Sequence, residues 1–138
     1  MAFLVAETGD ERSDREEVLA FSEEFIGIFT SYDHATFEQT EAAVAERSTA
    51  SFATRYRSLL GGAGFLDALA ENQAEATSEI TVGPLLAMLG DHEARTFAIV
   101  EQEVIGRQFE EPQRARLRVE VVMVETPDGW TVVDVETT

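Results

Sequence analysis

Apolar residues recur at three- and four-residue spacing from Val18 to Leu69, and from Ala74 onward they alternate with polar ones. The first period belongs to helices and the second to half-buried strands, so the chain changes class once, near its middle. Ser13 followed three residues later by Glu16 has the form of a capping box, and Val18, Phe21, Phe25, Ile28 and Phe29 continue at helical spacing. This predicts a first helix from about Asp14 to Tyr32. Asp33-His34 interrupts it, and Thr36 with Gln39 repeats the capping signature ahead of a short helix, Phe37 to Arg47, whose Phe37, Ala43 and Val44 share a face. Ser48-Thr49 offers the next N-cap, followed by an apolar stripe of Phe52, Tyr56, Leu59 and Leu60. Gly61-Gly62-Ala63-Gly64 disturbs that third helix, which is either kinked or stops and restarts through Phe65, Leu66 and Leu69 before Asn72.

In the second half, Ala76, Ser78, Ile80 and Val82 alternate with Glu75, Thr77, Glu79 and Thr81. Gly83-Pro84 breaks or bulges this strand, and Gly90-Asp91-His92 turns the chain into a second one, Ala94 to Ile105. A third strand runs from about Arg114 to Glu125, and Pro127-Asp128-Gly129 turns it into a last one, Trp130 to Val135. On the third strand Ala115, Leu117, Val119, Val121 and Met123 point toward the helices, while Arg114, Arg116, Arg118 and Glu120 point away. Pairing Glu101 and Glu103 with Arg116 and Arg118 across the ladder neutralises like charges on the outer face and puts Gln102 on the inner one. The expected fold is α+β: three N-terminal helices packed on a curved antiparallel four-stranded sheet, a cone-like, cystatin-like roll. Residues 13–138 form a single domain. Residues 1–12, which open on Ala2-Phe3-Leu4-Val5-Ala6, are either a flexible N-terminal segment or the stump of a removed membrane anchor.

Composition narrows the function. With 138 residues and 44% hydrophobic content the chain is long enough for its own core. Its formal net charge of −17 leaves no basic stripe for phosphates, which argues against nucleic acid and anionic lipid surfaces as partners. All 10 basic residues are arginines, as in a GC-rich genome; a salt-adapted cytosol is the rival source of the acidity. The absence of cysteine excludes disulfides and thiol chemistry.

No chemistry-bearing motif stands out. His34 and His92 lie in turns without further metal ligands nearby in sequence, no serine has a nucleophile-elbow context, and Gly61-Gly62-Ala63-Gly64 lacks the lysine of a phosphate loop. Catalytic residues, metal ligands and cofactors are therefore assigned as none. Helices laid over a curved sheet leave a conical cavity, for which Phe52, Tyr56, Phe65, Gln102 and Trp130 are the ligand-pocket candidates, each with ordinary core packing as the alternative. The outer sheet face, with Phe97, Ile99, Val122 and Val124 beside the Arg/Glu ladder, is the candidate surface for a homodimer.

The order of elements, ending in Asp128-Gly129-Trp130-Thr131-Val132, resembles the nuclear-transport-factor-like cone fold shared with ketosteroid isomerases and polyketide cyclases. Within it, three segments resemble the soluble domain of actinobacterial Mce-associated membrane proteins: Thr30-Ser31-Tyr32-Asp33-His34-Ala35-Thr36-Phe37, Ser51-Phe52 with Tyr56, and Gly129-Trp130-Thr131-Val132-Val133-Asp134-Val135. Ser48-Thr49-Ala50-Ser51-Phe52 departs from the Thr-Gly-Asp-Phe type common there. The resemblance implies a non-enzymatic accessory or ligand-binding domain of an envelope lipid or steroid transport system. Its partners would be other subunits of that complex and a lipid or steroid ligand. It would sit at the outer face of the cytoplasmic membrane through an N-terminal anchor, with a cytoplasmic location as the alternative. The alternative activity is a small isomerase or cyclase, although the oxyanion hole and catalytic Asp of ketosteroid isomerases have no matching positions here.

Overall fold

The computed structural model describes residues 9–62 and 64–138. Helices α1 (Gly9–Thr30), α2 (Phe37–Glu46), α3 (Ala50–Gly62) and α4 (Phe65–Asn72) precede the strands β2 (Glu75–Leu89), β3 (Glu93–Ile105), β4 (Gln113–Thr126) and β5 (Gly129–Thr137), and a two-residue strand β1 (Tyr32–Asp33) follows α1. All strands join one antiparallel sheet in chain order. The α+β architecture read from the hydrophobic pattern is present, with four helices and five strands instead of three and four. The extra helix exists because the third one stops: Gly64 takes a left-handed φ of 67° and opens α4. The extra strand exists because Tyr32 and Asp33 pair with Ala76 and Glu75.

Several start signals act differently from their sequence form. The chain is already helical at Gly9, so Ser13 lies within α1 and does not open it; the expected anchor remnant lies, through residue 8, outside the described residues. Thr36 occupies the cap position of α2 but its side chain makes no capping bond; instead the Ala35 N–H donates to Asp33 Oδ1 at 2.6 Å. Thr49 does cap α3, its Oγ1 accepting from the Phe52 N–H at 3.2 Å. The expected apolar stripe of α3 also turns outward at its end, where Leu59 is 71% exposed.

Val18, Phe25 and Ile26 of α1 pack, fully buried, on Ala94, Ala98 and Val100 of β3 and on Val119, Val121 and Met123 of β4. The alternation along β3 and β4 supplies this inner face, and each such Val, Ile or Phe contributes about 1.5–3 kcal/mol relative to exposure. One polar pair sits among them: Ser22 Oγ and Thr96 Oγ1, both 0% exposed, lie 2.5 Å apart. At the C-terminal end of α1, Thr30 Oγ1 donates to Ile26 O at 2.7 Å and contacts Ser78 Oγ at 2.8 Å, while Gln102 Nε2 donates to Thr30 O at 2.8 Å. These bonds seat α1 on β2 and β3 and put Gln102 on the inner face.

The α2–α3 junction is sewn to the last strand. Val132 N–H donates to Arg47 O at 2.8 Å and Thr49 N–H donates to Val132 O at 2.9 Å, with the Val132 side chain fully buried.

The β2 strand is the irregular member. Its register against β3 shifts between Ile80 and Val82, between Val82 and Leu85, and between Leu86 and Met88. Gly83 has φ 89°, and a Cβ there would lie 2.8 Å from Leu85 N and 2.9 Å from Phe97 O, so the bulge requires glycine. The shift reverses the alternation: Val82, expected to face inward, is 40% exposed and Leu85 46%. On the outer face Glu101 opposes Arg116 as expected, whereas Glu103 opposes Arg114, with Arg114 Nε 3.2 Å from Glu103 Oε2. Arg118 opposes Ile99 and rests its guanidinium 5.0 Å from the Phe97 ring centre. Ala115, expected to face inward, is exposed near the free end of β4.

Candidate functional site

Between the helices and the sheet lies a cavity of about 240 Å³. The end of α1 contributes Phe29 and Thr30, β1 contributes Tyr32, and α2, α3 and α4 contribute Phe37, Tyr56 and Phe65. The floor is Gln102 of β3, Leu117 of β4 and Thr137 of β5. The break at Gly64 is what aims Phe65 here, because α4 begins in a new direction at the residue that follows it.

The wall is a set of interlocked rings. Tyr32 meets Phe37 edge-on with centroids 5.8 Å apart and Phe65 at 5.7 Å, and Phe37 meets Phe65 at 5.6 Å. Phe29 and Tyr56 lie 5.7 Å apart at 41°. These are the offset and edge-on geometries that ring quadrupoles favour. Burial raises the pKa of the Tyr32 phenol. The Tyr56 phenol is pushed up to about 12, first by burial and then by the negative fields of Glu41 and of Tyr32. Both stay neutral near pH 7. Among the described residues, no Asp, Glu, Arg or His lines the cavity.

Of the sequence candidates, Tyr56, Phe65 and Gln102 line this cavity. Phe52 does not: one turn before Tyr56, it is 5% exposed in the main core and stacks on Tyr56 at 6.3 Å and 16°. Trp130 does not either. It pairs with Glu125 at the opposite, hairpin end of β5, and its Nε1 is buried there without a partner. Sequence reading missed Phe29 and Phe37, which read as ordinary helix stripe, and Tyr32, which reads as turn. The interruption at Asp33-His34 was the available signal, since it marks where two helices and a strand converge.

Two larger depressions lie elsewhere on the molecule. One lies on the outer ladder around Glu79, Glu101 and Glu103, and one lies between α1 and α2 over Gly27, Ile28 and Ala43. His34 Nδ1 lies 3.3 Å from Ala74 O and 3.4 Å from Asp33 Oδ1, with no serine or threonine hydroxyl bonded to it among the described residues. Among those residues no group of three or more His, Asp or Glu is placed to hold a metal, and no helix is long and apolar enough to cross a membrane.

No protein-family model matches the chain, and no curated protein matches it in sequence. Solved structures do. An IcmL-like type IV secretion system protein from Legionella pneumophila superposes with a TM-score of 0.77 at 17% identity, over 90% of this chain and 91% of that one. The periplasmic domain of DotI gives 0.74 at 12% identity over 97% of each chain. VirB8 of Agrobacterium tumefaciens gives 0.69 at 13% identity over 97% of this chain and 96% of that one. At these identities the likeness is one of fold.

These neighbours overturn the resemblance to Mce-associated proteins, and with it the reading as a lipid or steroid transport domain, as well as the isomerase or cyclase alternative. The segments that carried the resemblance are fold features. Tyr32-Asp33 is the β1 pairing segment, Ser51-Phe52 is the capped start of α3, and Gly129-Trp130 is the last hairpin. The cavity, at about 240 Å³, also lies below the roughly 300–1,000 Å³ usual for drug-sized ligands.

Proposed function

We propose that this chain is the extracytoplasmic domain of a non-enzymatic assembly subunit in an envelope secretion apparatus of the type IV kind. The observation that carries the reading is the near end-to-end match to the periplasmic domain of DotI, over 97% of each chain, alongside IcmL-like and VirB8 structures. In this reading the domain acts through its surface, where other subunits of the complex dock, and a membrane anchor belonging to the longer protein holds it outside the cytoplasmic membrane.

The outer sheet face is the surface we assign to subunit contact. Val82 and Leu85 are exposed there beside half-buried Phe97 and Ile99, within a ladder of arginines and glutamates that fixes register. The test is complementation in a host deleted for the gene. The domain fused behind a heterologous anchor that exports it is expected to restore export of a secreted substrate. The same domain kept in the cytoplasm is expected to fail. Restoration by the cytoplasmic form, or normal secretion in the deleted host, overturns the reading.

A further inference from the structure

The cavity is lined by polar groups as well as aromatic walls. The Tyr32 and Tyr56 hydroxyls have no hydrogen-bond partner among the described residues, and Gln102, whose Nε2 is held by Thr30 O, has its Oε1 free. All three atoms reach accessible space, since Trp130 Nε1 is the side-chain polar atom that is both buried and unpartnered among those residues. Two donors and an acceptor therefore line an aromatic chamber without partners from their own chain. A guest that displaces water from these groups without replacing its hydrogen bonds forgoes about 1–3 kcal/mol for each, so a guest that bonds them is favoured over an apolar one.

We propose that this cavity is a binding site for one uncharged aromatic ring carrying hydrogen-bonding substituents, of the phenol or carboxamide type. Size sets the ring count. A cavity of about 150 Å³ is enough to take up benzene, and 240 Å³ leaves room for a single ring with a substituent. Ring walls set the aromaticity, because an added ring finds edge and face partners in Phe29, Phe37 and Phe65. Charge is excluded by what is missing from the wall: a carboxylate would be buried with no cation facing it, and an ammonium with no anion. Glu41, the nearby carboxylate that acts on Tyr56, is already engaged by Arg57 Nε at 3.5 Å. The ring can come from a free small molecule or from an aromatic side chain of a docking protein, and the site is independent of the assembly reading above.

The test is titration of the ¹⁵N-labelled chain, followed by amide shifts, with 4-hydroxyphenylacetamide, its anionic analogue 4-hydroxyphenylacetate, and N-acetyltyrosinamide. The neutral amide is expected to move the amides of Thr30, Phe65, Gln102 and Leu117 and to leave Trp130 unmoved. The anion is expected to bind at least about tenfold more weakly. Binding of N-acetyltyrosinamide as well points to a protein side chain as the source, and its exclusion points to a free molecule. Tyr56→Phe removes one hydroxyl without emptying the wall and is expected to weaken binding roughly two- to tenfold. Leu117→Trp fills the chamber and is expected to abolish it. Equal binding of anion and neutral probe, shifts scattered outside the cavity, or unchanged affinity in Tyr56→Phe overturns the assignment.

Discussion

The Ser22–Thr96 pair is the residue-scale feature that pattern reading does not reveal, since a serine on the apolar stripe of α1 and a threonine in a strand both read as neutral. Removing one hydroxyl leaves the other buried and unbonded, while removing both leaves two apolar contacts. Ser22→Ala and Thr96→Val are each expected to cost about 1–3 kcal/mol, and the double variant much less than their sum, as read from urea unfolding. Tyr56 carries a pH dependence of known sign. Its folded pKa, about 12, lies above that of an unfolded tyrosine, so its contribution is whole below the unfolded value near 10. It is lost as pH rises toward 12, and Tyr56→Phe is expected to flatten the fall in stability across that window. Of the cavity, Tyr56, Phe65 and Gln102 were legible from periodicity and strand parity. Phe52 and Trp130 lie away from it because a pattern identifies an inward face but not the end of the cone it serves.

Among the elements, the strands were more legible than the helix ends. Alternation at Val119, Val121 and Met123 predicted their fully buried positions, and Met123→Ala is expected to cost about 2–5 kcal/mol. The bulges of β2 defeated the same rule at Val82, because one extra residue flips every following side chain. Helix caps depend on side-chain geometry that a motif does not contain, which is why Thr49 caps and Thr36 does not. The sequence placed the end of α4 to within a residue, but not its cap: Gln73 takes a left-handed φ of 49°, where glycine is the usual residue. Left-handed backbone costs a side-chain-bearing residue roughly 1–2 kcal/mol. Gln73→Gly is therefore expected to stabilise the protein, by up to about 1 kcal/mol after the added flexibility of the unfolded chain and the loss of the exposed 3.1 Å bond from Arg107 Nε. A lower unfolding midpoint in this variant would show that the bond matters more than the backbone.

For the whole molecule, the net charge of −17 works against compactness, and added salt screens that repulsion. The unfolding temperature is expected to rise between low salt and about 0.5 M sodium chloride. The architecture was legible because its two hydrophobic periods do not mix along the chain, whereas the resemblance to one family misled, because the segments that carried it serve here as a pairing strand, a cap and a hairpin. The sheet also has a consequence in time. Its strands lie in the order in which they are synthesised, but every helix is made before the surface it covers. The stitch from Arg47 and Thr49 to Val132 is therefore tied last, when nearly the whole chain exists. Until then the junction of α2 and α3 has no strand to close on, so a chain cut a few residues short of Val132 is expected to be degraded faster than the full one.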